Sequence, residues 1–338
     1  EYYGAYLNFS CFNEYSTITL HCLSKFLKEL LPIIRELITE ATFPANELEI
    51  YQQNRIQMLS VNLLKCDFVA DRLIDEHLYG VNHPYGKKTG KEDIQAINKE
   101  DLLQFYQQYY LKAKCCIFSA GKLPADFEEL IDKNFGDLDL NEMMPTITHE
   151  RIVSTQKKQA VINDKNGVQS AIRIARPFPN RHHPDFQKAN VLNVLFGGYF
   201  GSRLMANIRE EKGYTYGISS YIENHIAYSA WMISTEAGKE VTQPTIEEVY
   251  KEMKDLRENM VDEEELLLVK NYMIGLNLGY IDGPFQIIAR WKSLILQGLD
   301  ETYFYNSLHT IKSIKAEEIQ SLANKYLVPE DFFELAVI

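Results

Sequence analysis

The residues with the clearest chemical potential are an arginine and a tyrosine seven positions apart. Both belong to the string from Gly197 to Gly217, which reads GGYFGSRLMANIREEKGYTYG. Arg209 closes a predicted helix and Tyr216 stands on the following strand, with Gly213 at the turn between them. The two side chains could project into one opening and donate hydrogen bonds to a carbonyl oxygen or an oxyanion. A solvated helix end followed by an ordinary strand tyrosine gives the same pattern, and without further information this simpler interpretation is favoured.

The elements that must position these residues are predicted from hydrophobic spacing. In the first half, apolar residues at three- and four-residue intervals predict helices over 20–37, about 46–79 and about 99–110. The last of these leads into an apolar strand over 115–120, in which the adjacent Cys115 and Cys116 are expected to pack in the core. In the second half, alternation predicts a half-buried strand over 168–175 and a hairpin over 214–236. Further helices are predicted over 185–195, 202–212 and, with a break at Gly283-Pro284, from about 246 to 297.

An internal repeat links the two halves of the chain. The pattern from Ile94 to Tyr110 recurs from Ile311 to Leu327, at a constant offset of 217 residues, with a similar acidic pair and a matching tyrosine. Two unrelated amphipathic helices in the same phase are the simpler alternative, but a duplication explains more of the matches. If the halves are duplicates, the first half lacks about 60 residues at its start. We therefore predict an incomplete first domain over 1–140, a linker over 141–157 and a second domain over 158–338.

Composition limits the classes of protein to which the chain can belong. Its 338 residues are about twice a common domain length of roughly 150, which agrees with two domains. The net charge of −12 at pH 7 argues against a nucleic-acid binder, because such proteins need a basic face. No stretch reaches the roughly 18 apolar residues of a membrane helix. The five cysteines lack a disulfide-type spacing and indicate free thiols, so we expect a cytoplasmic protein. From the charge and the lack of a long apolar stretch, we expect it to bind neither nucleic acid nor membrane.

The second-half string resembles the second domain of the pitrilysin/insulinase family of zinc peptidases, especially subunits like mitochondrial processing peptidase. The glycine-rich loop, the S-R-L triplet and the R-E-x-K-G-x-x-Y pattern occur in the family's order. The first half matches at Gly4–Asn8 and again at the H-P-Y-G of His83–Gly86. The resemblance implies an α+β fold of two tandem homologous domains, each an antiparallel-type sheet packed with helices, the first without its N-terminal strand and helix segment.

The resemblance also assigns roles to residues of the second half. Arg209 and Tyr216 match the pair with which the family holds substrate and supports the transition state. We accordingly expect these two residues to be catalytic. By the same resemblance, the loop and the S-R-L triplet supply substrate-binding residues, namely Gly197, Gly198, Ser202 and Arg203.

The zinc ligands of the family are missing from this sequence. None of the eight histidines has the spacing of H-x-x-E-H or of its inverted form. The family's third ligand, a glutamate, would fall near Gln57 or Val61, depending on which neighbouring residue anchors the count. The stretch 50–66 contains no carboxylate, so the expected oxygen ligand is absent with either anchor. We therefore expect this chain to bind no cofactor, with zinc supplied by a partner subunit or by a segment outside the sequence.

Three functions follow from the resemblance. The preferred hypothesis is a non-metal-binding subunit that forms a homo- or heterodimer with a zinc-binding homologue and contributes Arg209 and Tyr216 to hydrolysis of a peptide substrate. The strand edge near 214–220 could hold that peptide by β-augmentation. The alternatives are a fragment of a self-sufficient zinc endopeptidase, and a non-proteolytic structural or assembly subunit. The lack of a carboxylate in 50–66 counts against the first alternative, and the retained Arg209–Tyr216 pair counts against the second.

Overall fold

The computed structural model describes residues 2–140 and 149–338, so the start of the predicted linker, 141–148, lies outside the described residues. The chain forms two compact units that are each discontinuous in sequence. Unit 1 comprises Glu1–Ser60 and Thr89–His149, and unit 2 comprises Val61–Lys88 and Glu150–Ile338. The duplication of two domains stays a prediction. No helix in the described ranges is long and apolar enough to cross a membrane.

The described residues form a mixture of helices and strands, which confirms the predicted α+β class. The α-helices, in chain order, are α1 (Leu27–Thr39), α2 (Ala45–Asn62), α3 (Cys66–Tyr79), α4 (Lys91–Ala96), α5 (Lys99–Phe105), α6 (Phe127–Phe135), α7 (Phe186–Asn193), α8 (Thr242–Glu258), α9 (Glu263–Gly279), α10 (Pro284–Leu296), α11 (Glu301–Ser313) and α12 (Ala316–Tyr326). The strands are β1 (Tyr6–Cys11), β2 (Ser16–His21), β3 (Lys158–Val161), β4 (Gln169–Phe178), β5 (Thr215–Asn224), β6 (Ser229–Gly238) and β7 (Phe333–Val337). Three short π-helices cover Tyr106–Tyr110, Val194–Gly198 and Met205–Glu211.

Unit 2 is built on a five-stranded sheet with the strand order β3-β7-β4-β6-β5. The β3–β7 pair is parallel and the other neighbours are antiparallel. β5 is therefore an edge strand, and the predicted hairpin over 214–236 is the β5–β6 pair. Unit 1 contains the antiparallel β1–β2 hairpin and helices that include α1 and α6.

Helices cover both faces of the unit 2 sheet. On one face, the buried side chains of α3 pack against small residues of the sheet, including Ala171, Ala175 and Ala230, which let the helix approach closely. On the other face, Ile172, Trp231 and Ile233 pack against α7, α8, α9 and α12. This second layer forms the larger core and carries the helices that lead to Arg209.

The prediction of a half-buried strand over 168–175 was wrong in one respect, because β4 is buried on both faces from Ser170 to Ala175. Its polar side chain, Arg173, is only 4% exposed. The guanidinium donates from Nε to Oδ1 of Asp71 on α3 at 2.6 Å, which compensates the burial of its charge. The charged position in the alternating pattern is therefore a buried arginine bonded to Asp71, and it does not indicate a solvent-facing side of the sheet.

The apolar run 115–120 does not form a strand, and both Cys115 and Cys116 are exposed. A strand requires a neighbouring strand, and none pairs with this run within the described residues. Two helix boundaries also differ from the predictions. The first helix begins at Leu27, after β2, and the predicted helix over 46–79 is broken between Asn62 and Cys66 into α2 and α3.

The internal repeat coincides with a shared helix-start geometry. Asn98 and Lys315, which are 217 residues apart, each precede a helix as its N-cap. Their backbone N–H groups donate to the carboxylates of Asp101 and Glu318, again 217 apart, at 3.1 Å in both cases. Equivalent positions of the repeat therefore use the same capping carboxylate.

A group of carboxyls lies between α3 and the end of β5. Burial, together with the neighbouring carboxylates of Glu223 and Asp71, raises the pKa of Asp75 to about 8, although Lys88 opposes the shift. The unfolded value for aspartate is about 3.9. Between these two values, the folded protein holds a proton that the unfolded chain has lost, so the free energy of unfolding falls as the pH rises.

We predict that Asp75→Asn removes this pH dependence and makes unit 2 more stable than the unsubstituted protein above pH 8. Urea unfolding at pH 5, 7 and 9, followed by tryptophan fluorescence, measures it, since Trp231 and Trp291 both lie in unit 2. Asp71→Asn, one helical turn away, should give a different result: it should destabilise unit 2 because Arg173 loses its carboxylate partner, and it should lower the pKa of Asp75 because it removes one of the neighbouring charges. Parallel pH profiles for the unsubstituted and Asp75→Asn proteins would contradict the prediction.

Candidate functional site

Unit 2 has an open groove with a volume of about 810 Å³, at the edge of the sheet where β5 begins and β6 ends. Arg209 and Tyr216 both line it, so the structure brings the predicted pair to one opening. Polar and acidic side chains complete much of the lining; these are Gln169, Glu210, Ser219, Ser234, Thr235 and Glu236. The groove is therefore suited to a polar, extended ligand.

A β-bulge presents Tyr216 to solvent. Thr215 pairs with Ala237 and Ile218 pairs with Thr235, so β5 has one extra residue in this interval. A bulge redirects side chains out of regular alternation. Tyr216 is 98% exposed, and its hydroxyl makes no hydrogen bond within the described residues. The hydroxyl can therefore donate to a ligand in the groove.

Two threonines fix the bulge. The hydroxyl of Thr235, which is buried, donates to the carbonyl of Gly217 at 2.9 Å. The hydroxyl of Thr215 accepts from the backbone N–H of Gly217 at 3.1 Å. The extra residue of β5 is thus bonded in place and is not a frayed end.

Arg209 stands on a seven-residue π-helix, Met205–Glu211. Such helices are rare and are often found at functional sites. This one is tied to the bulge, because the backbone N–H of Ile218 donates to Sδ of Met205 at 3.4 Å. The element that carries Arg209 and the strand that carries Tyr216 are therefore in direct contact.

The donors of Arg209 are available for a ligand. Its guanidinium makes no hydrogen bond in the parts of the chain that the structure describes, and its nearest carboxylate, that of Glu210, is 3.8 Å away. The guanidinium carbon lies 4.6 Å from the centre of the Phe200 ring. Arg209 is thus a cation at the groove with free N–H groups.

A buried hydrogen-bond chain connects β5 to the helix layer behind the groove. Nε1 of Trp231 donates to the hydroxyl of Ser220 at 2.8 Å, and that hydroxyl donates to Oδ1 of Asn193 at 2.7 Å. Gly197 lies directly against this serine, and a Cβ at Gly197 would be 2.6 Å from Cβ of Ser220. The first glycine of the loop is therefore required for close packing on β5.

Arg203 has a different environment from Arg209. Its guanidinium is bonded to both carboxylate oxygens of Glu265, each at 2.8 Å, and to Oδ2 of Asp255 at 2.6 Å. Nearby, Nδ2 of Asn207 donates to carboxylates of Glu248 and Glu252 on α8. These contacts connect the start of the π-helix to α8 and α9.

The four residues predicted to bind substrate do not line the groove; they are Gly197, Gly198, Ser202 and Arg203. Gly198 is close to Val194, and Ser202 is buried, with its backbone N–H donating to the carbonyl of Tyr199. In the structure, Gly197 packs on β5, and Arg203 connects the start of the π-helix that carries Arg209 to α8 and α9. Their contact with substrate stays a prediction.

The side chains of residues 2–140 and 149–338 do not form a zinc site. Among the described residues, no three His, Cys, Asp or Glu side chains are grouped so that they could share a metal ion. His77 is buried and engaged with the side chain of Gln159 and the carbonyl of Gln156. Gln57 and Val61, the two positions counted for the third ligand, lie one turn apart on α2.

Several groove residues were missed by the sequence analysis. Glu210 lies inside the noted motif, and its position next to Arg209 could have suggested it. Gln169, Ser234, Thr235 and Glu236 come from β4 and β6, and no sequence spacing connects them to Arg209. Only the pairing of the strands brings them to the groove.

Comparison with known proteins identifies similar chains. A family model described as "Peptidase M16 inactive domain" matches residues 96–273. The "Non-peptidase homolog YmxG" of Helicobacter pylori is 26% identical over 277 residues, which are 80% of this chain and 62% of that protein. The chain therefore spans less than two thirds of the length of that relative. The "Probable mitochondrial-processing peptidase subunit beta" of Schizosaccharomyces pombe is 24% identical, covering 58% of this chain and 44% of its own length. A crystal structure of a peptidase M16 inactive domain from Pseudomonas fluorescens has the same fold, with a TM-score of 0.84 and 20% identity over 99% of this chain and 81% of that one.

The two arginines of the motif should differ in their effect on stability. We predict that Arg203→Ala destabilises unit 2 by about 1–3 kcal/mol, because it leaves the carboxylates of Asp255 and Glu265 without their shared partner. Arg209→Ala, six residues away, should change the free energy of unfolding by no more than about 0.5 kcal/mol, since Arg209 makes few contacts. Urea unfolding of both variants measures the contrast, and a loss for Arg209→Ala equal to that for Arg203→Ala would contradict it.

Proposed function

This chain belongs to the peptidase M16 inactive-domain family, and we propose that it is a non-metal-binding subunit that presents Arg209 and Tyr216 to a peptide cleaved by a partner. The observation that carries the proposal is the groove itself. The groove has on one opening, beside the edge strand β5, a guanidinium and a phenol that make no hydrogen bonds within the described residues. A purely structural subunit does not require polar donors that are held out toward solvent.

In this proposal the two side chains bind the substrate's backbone. Arg209 donates from the edge of its guanidinium to a peptide carbonyl, or to the oxyanion that develops on it, and the hydroxyl of Tyr216 donates a second hydrogen bond. The proposal assigns metal chemistry to the partner, because the stretch 50–66 has no carboxylate that could serve as the family's third ligand. The similarity to a mitochondrial-processing peptidase subunit supports a two-chain arrangement.

The edge of β5 supplies the second contact with the peptide. Its inner side pairs with β6, and its outer side has no neighbouring strand among the described residues. A peptide that adds to this edge would lie along Tyr216 and Ser219, both of which line the groove. Main-chain hydrogen bonds would then hold many sequences in one register.

Reconstitution with a partner tests the proposal. The chain is co-expressed with homologues that contain H-x-x-E-H, and cleavage of a fluorogenic peptide is measured. Arg209→Ala and Tyr216→Phe should each lower kcat/KM of the active pair by about 10- to 100-fold, since each removes a donor to the reacting carbonyl.

Matched controls are Arg55→Ala and Tyr305→Phe, which change an exposed arginine and an exposed tyrosine outside the groove. An active pair that tolerates both groove substitutions would exclude the shared site. Cleavage by this chain alone, abolished by a chelator, would favour a self-sufficient peptidase. Inactivity with every partner would favour a structural subunit.

Addition to the β5 edge makes a separate prediction about the peptide. Successive N–H groups of a strand point to opposite sides, so N-methylation at alternate residues should weaken binding to this chain strongly, and methylation at the intervening residues should not. Fluorescence anisotropy with labelled peptides measures the two series. Equal loss in both series would show that the peptide is not bound as a strand.

A further inference from the structure

The glycine-rich loop holds an exposed aromatic ring against the arginine of the groove. Phe200 is 61% exposed, and the centre of its ring lies 4.6 Å from Cζ of Arg209. Its neighbour Tyr199 turns the other way, packs on the core and contacts the ring of Tyr272 at 4.8 Å between centres. The backbone of Tyr199 is extended, which directs consecutive side chains to opposite sides.

The glycines of the loop restrict it to this arrangement. A Cβ at Gly201 would be 2.9 Å from the ring of Tyr199, and a Cβ at Gly197 would overlap Ser220. The loop is therefore packed closely on the core around Tyr199, and Phe200 is left on its outer side. An exposed phenylalanine gains little from the core, so its position next to Arg209 needs another explanation.

The geometry of the contact provides that explanation. A guanidinium can be held by carboxylates at its edge or by an aromatic ring at its face. Arg203 is held at its edge by Asp255 and Glu265, which occupy its N–H donors. Cζ of Arg209 lies over the Phe200 ring, 4.6 Å from its centre, and the N–H groups of Arg209 make no hydrogen bond within the described residues.

We propose that Phe200 is a positioning residue for Arg209, which fixes the guanidinium at the groove by a cation–π contact and leaves its N–H donors free for a ligand. The ring thus does what a carboxylate could not do without occupying those donors. The structural contact stands by itself, whereas its consequence for peptide binding rests on the proposed function.

The contact can be tested without any partner or substrate. In ¹⁵N–¹H spectra of the arginine side chains of this chain, the Hε signal of Arg209 is assigned by its loss in Arg209→Lys. Ring current from Phe200 should shift that signal upfield. Phe200→Leu should return it to the range of arginines without a neighbouring ring, and Phe200→Tyr should keep the shift. Phe285→Leu, which changes an exposed phenylalanine outside the groove, should leave it unchanged.

The consequence for binding is tested in the reconstituted pair. Phe200→Leu should raise KM for the fluorogenic peptide by about 2- to 5-fold, the strength of an exposed cation–π contact, with a smaller effect on kcat. Phe200→Tyr should restore the KM, and Phe200→Leu should have no further effect when Arg209 is already alanine. This double-mutant comparison separates positioning of Arg209 from a general effect on the loop.

The outcomes distinguish the two proposals. An Arg209 Hε signal that does not move in Phe200→Leu overturns the role of Phe200, even if the pair cleaves peptide and needs Arg209. A KM effect of Phe200→Leu that persists in the Arg209→Ala background overturns it as well. A shifted signal that requires an aromatic residue at position 200, in a chain that supports no cleavage, bears out the positioning contact and counts against the proposed function alone.

Discussion

The groove depends on one buried serine. The hydroxyl of Ser220 accepts from Trp231 on β6 and donates to Asn193 on α7, so it joins two strands to the helix layer with both of its hydrogen-bonding roles satisfied. The same residue sets the distance of the glycine-rich loop, because Gly197 packs directly on it. Removal of this hydroxyl would leave the Trp231 N–H and the Asn193 side-chain oxygen in the core without their shared partner. A polar group in an apolar core specifies a single arrangement because every alternative leaves it without partners.

The site is formed by two local departures from regular structure. The bulge adds one residue to β5 and turns Tyr216 out of the sheet, and the π-helix widens the turn that carries Arg209. Both are fixed by side-chain hydrogen bonds, those of Asn207 to α8 for the π-helix and that of the buried Thr235 to Gly217 for the bulge. The bulge and this π-helix thus bring irregular backbone to the two places that carry Tyr216 and Arg209.

The sequence predicted what local periodicity and turn residues control. The β5–β6 hairpin, the helix break at Gly283-Pro284 and the Arg209–Tyr216 pair are all present where the pattern placed them. It did not predict the bulge or the π-helix, since each differs from regular structure by a single residue and leaves the apolar pattern unchanged. It also could not predict that Arg173 is buried or that Arg203 is bonded to Asp255 and Glu265, because those carboxylates are distant in the chain. Cys115 and Cys116 show the converse error, since an apolar run without a partner strand does not become core.

The bulge has an evolutionary consequence. Loss of a single codon at Tyr216 or Gly217 would leave equal numbers of residues on β5 and β6 between the Thr215–Ala237 and Ile218–Thr235 pairs, so the two strands could pair regularly. The residue at the mouth of the groove would then follow the alternation of the strand and no longer stand apart from it. One in-frame deletion could therefore remove the outward-facing tyrosine from this opening while the β5–β6 pairing is kept, and the length of the hairpin is the feature that separates chains with the bulge from chains without it.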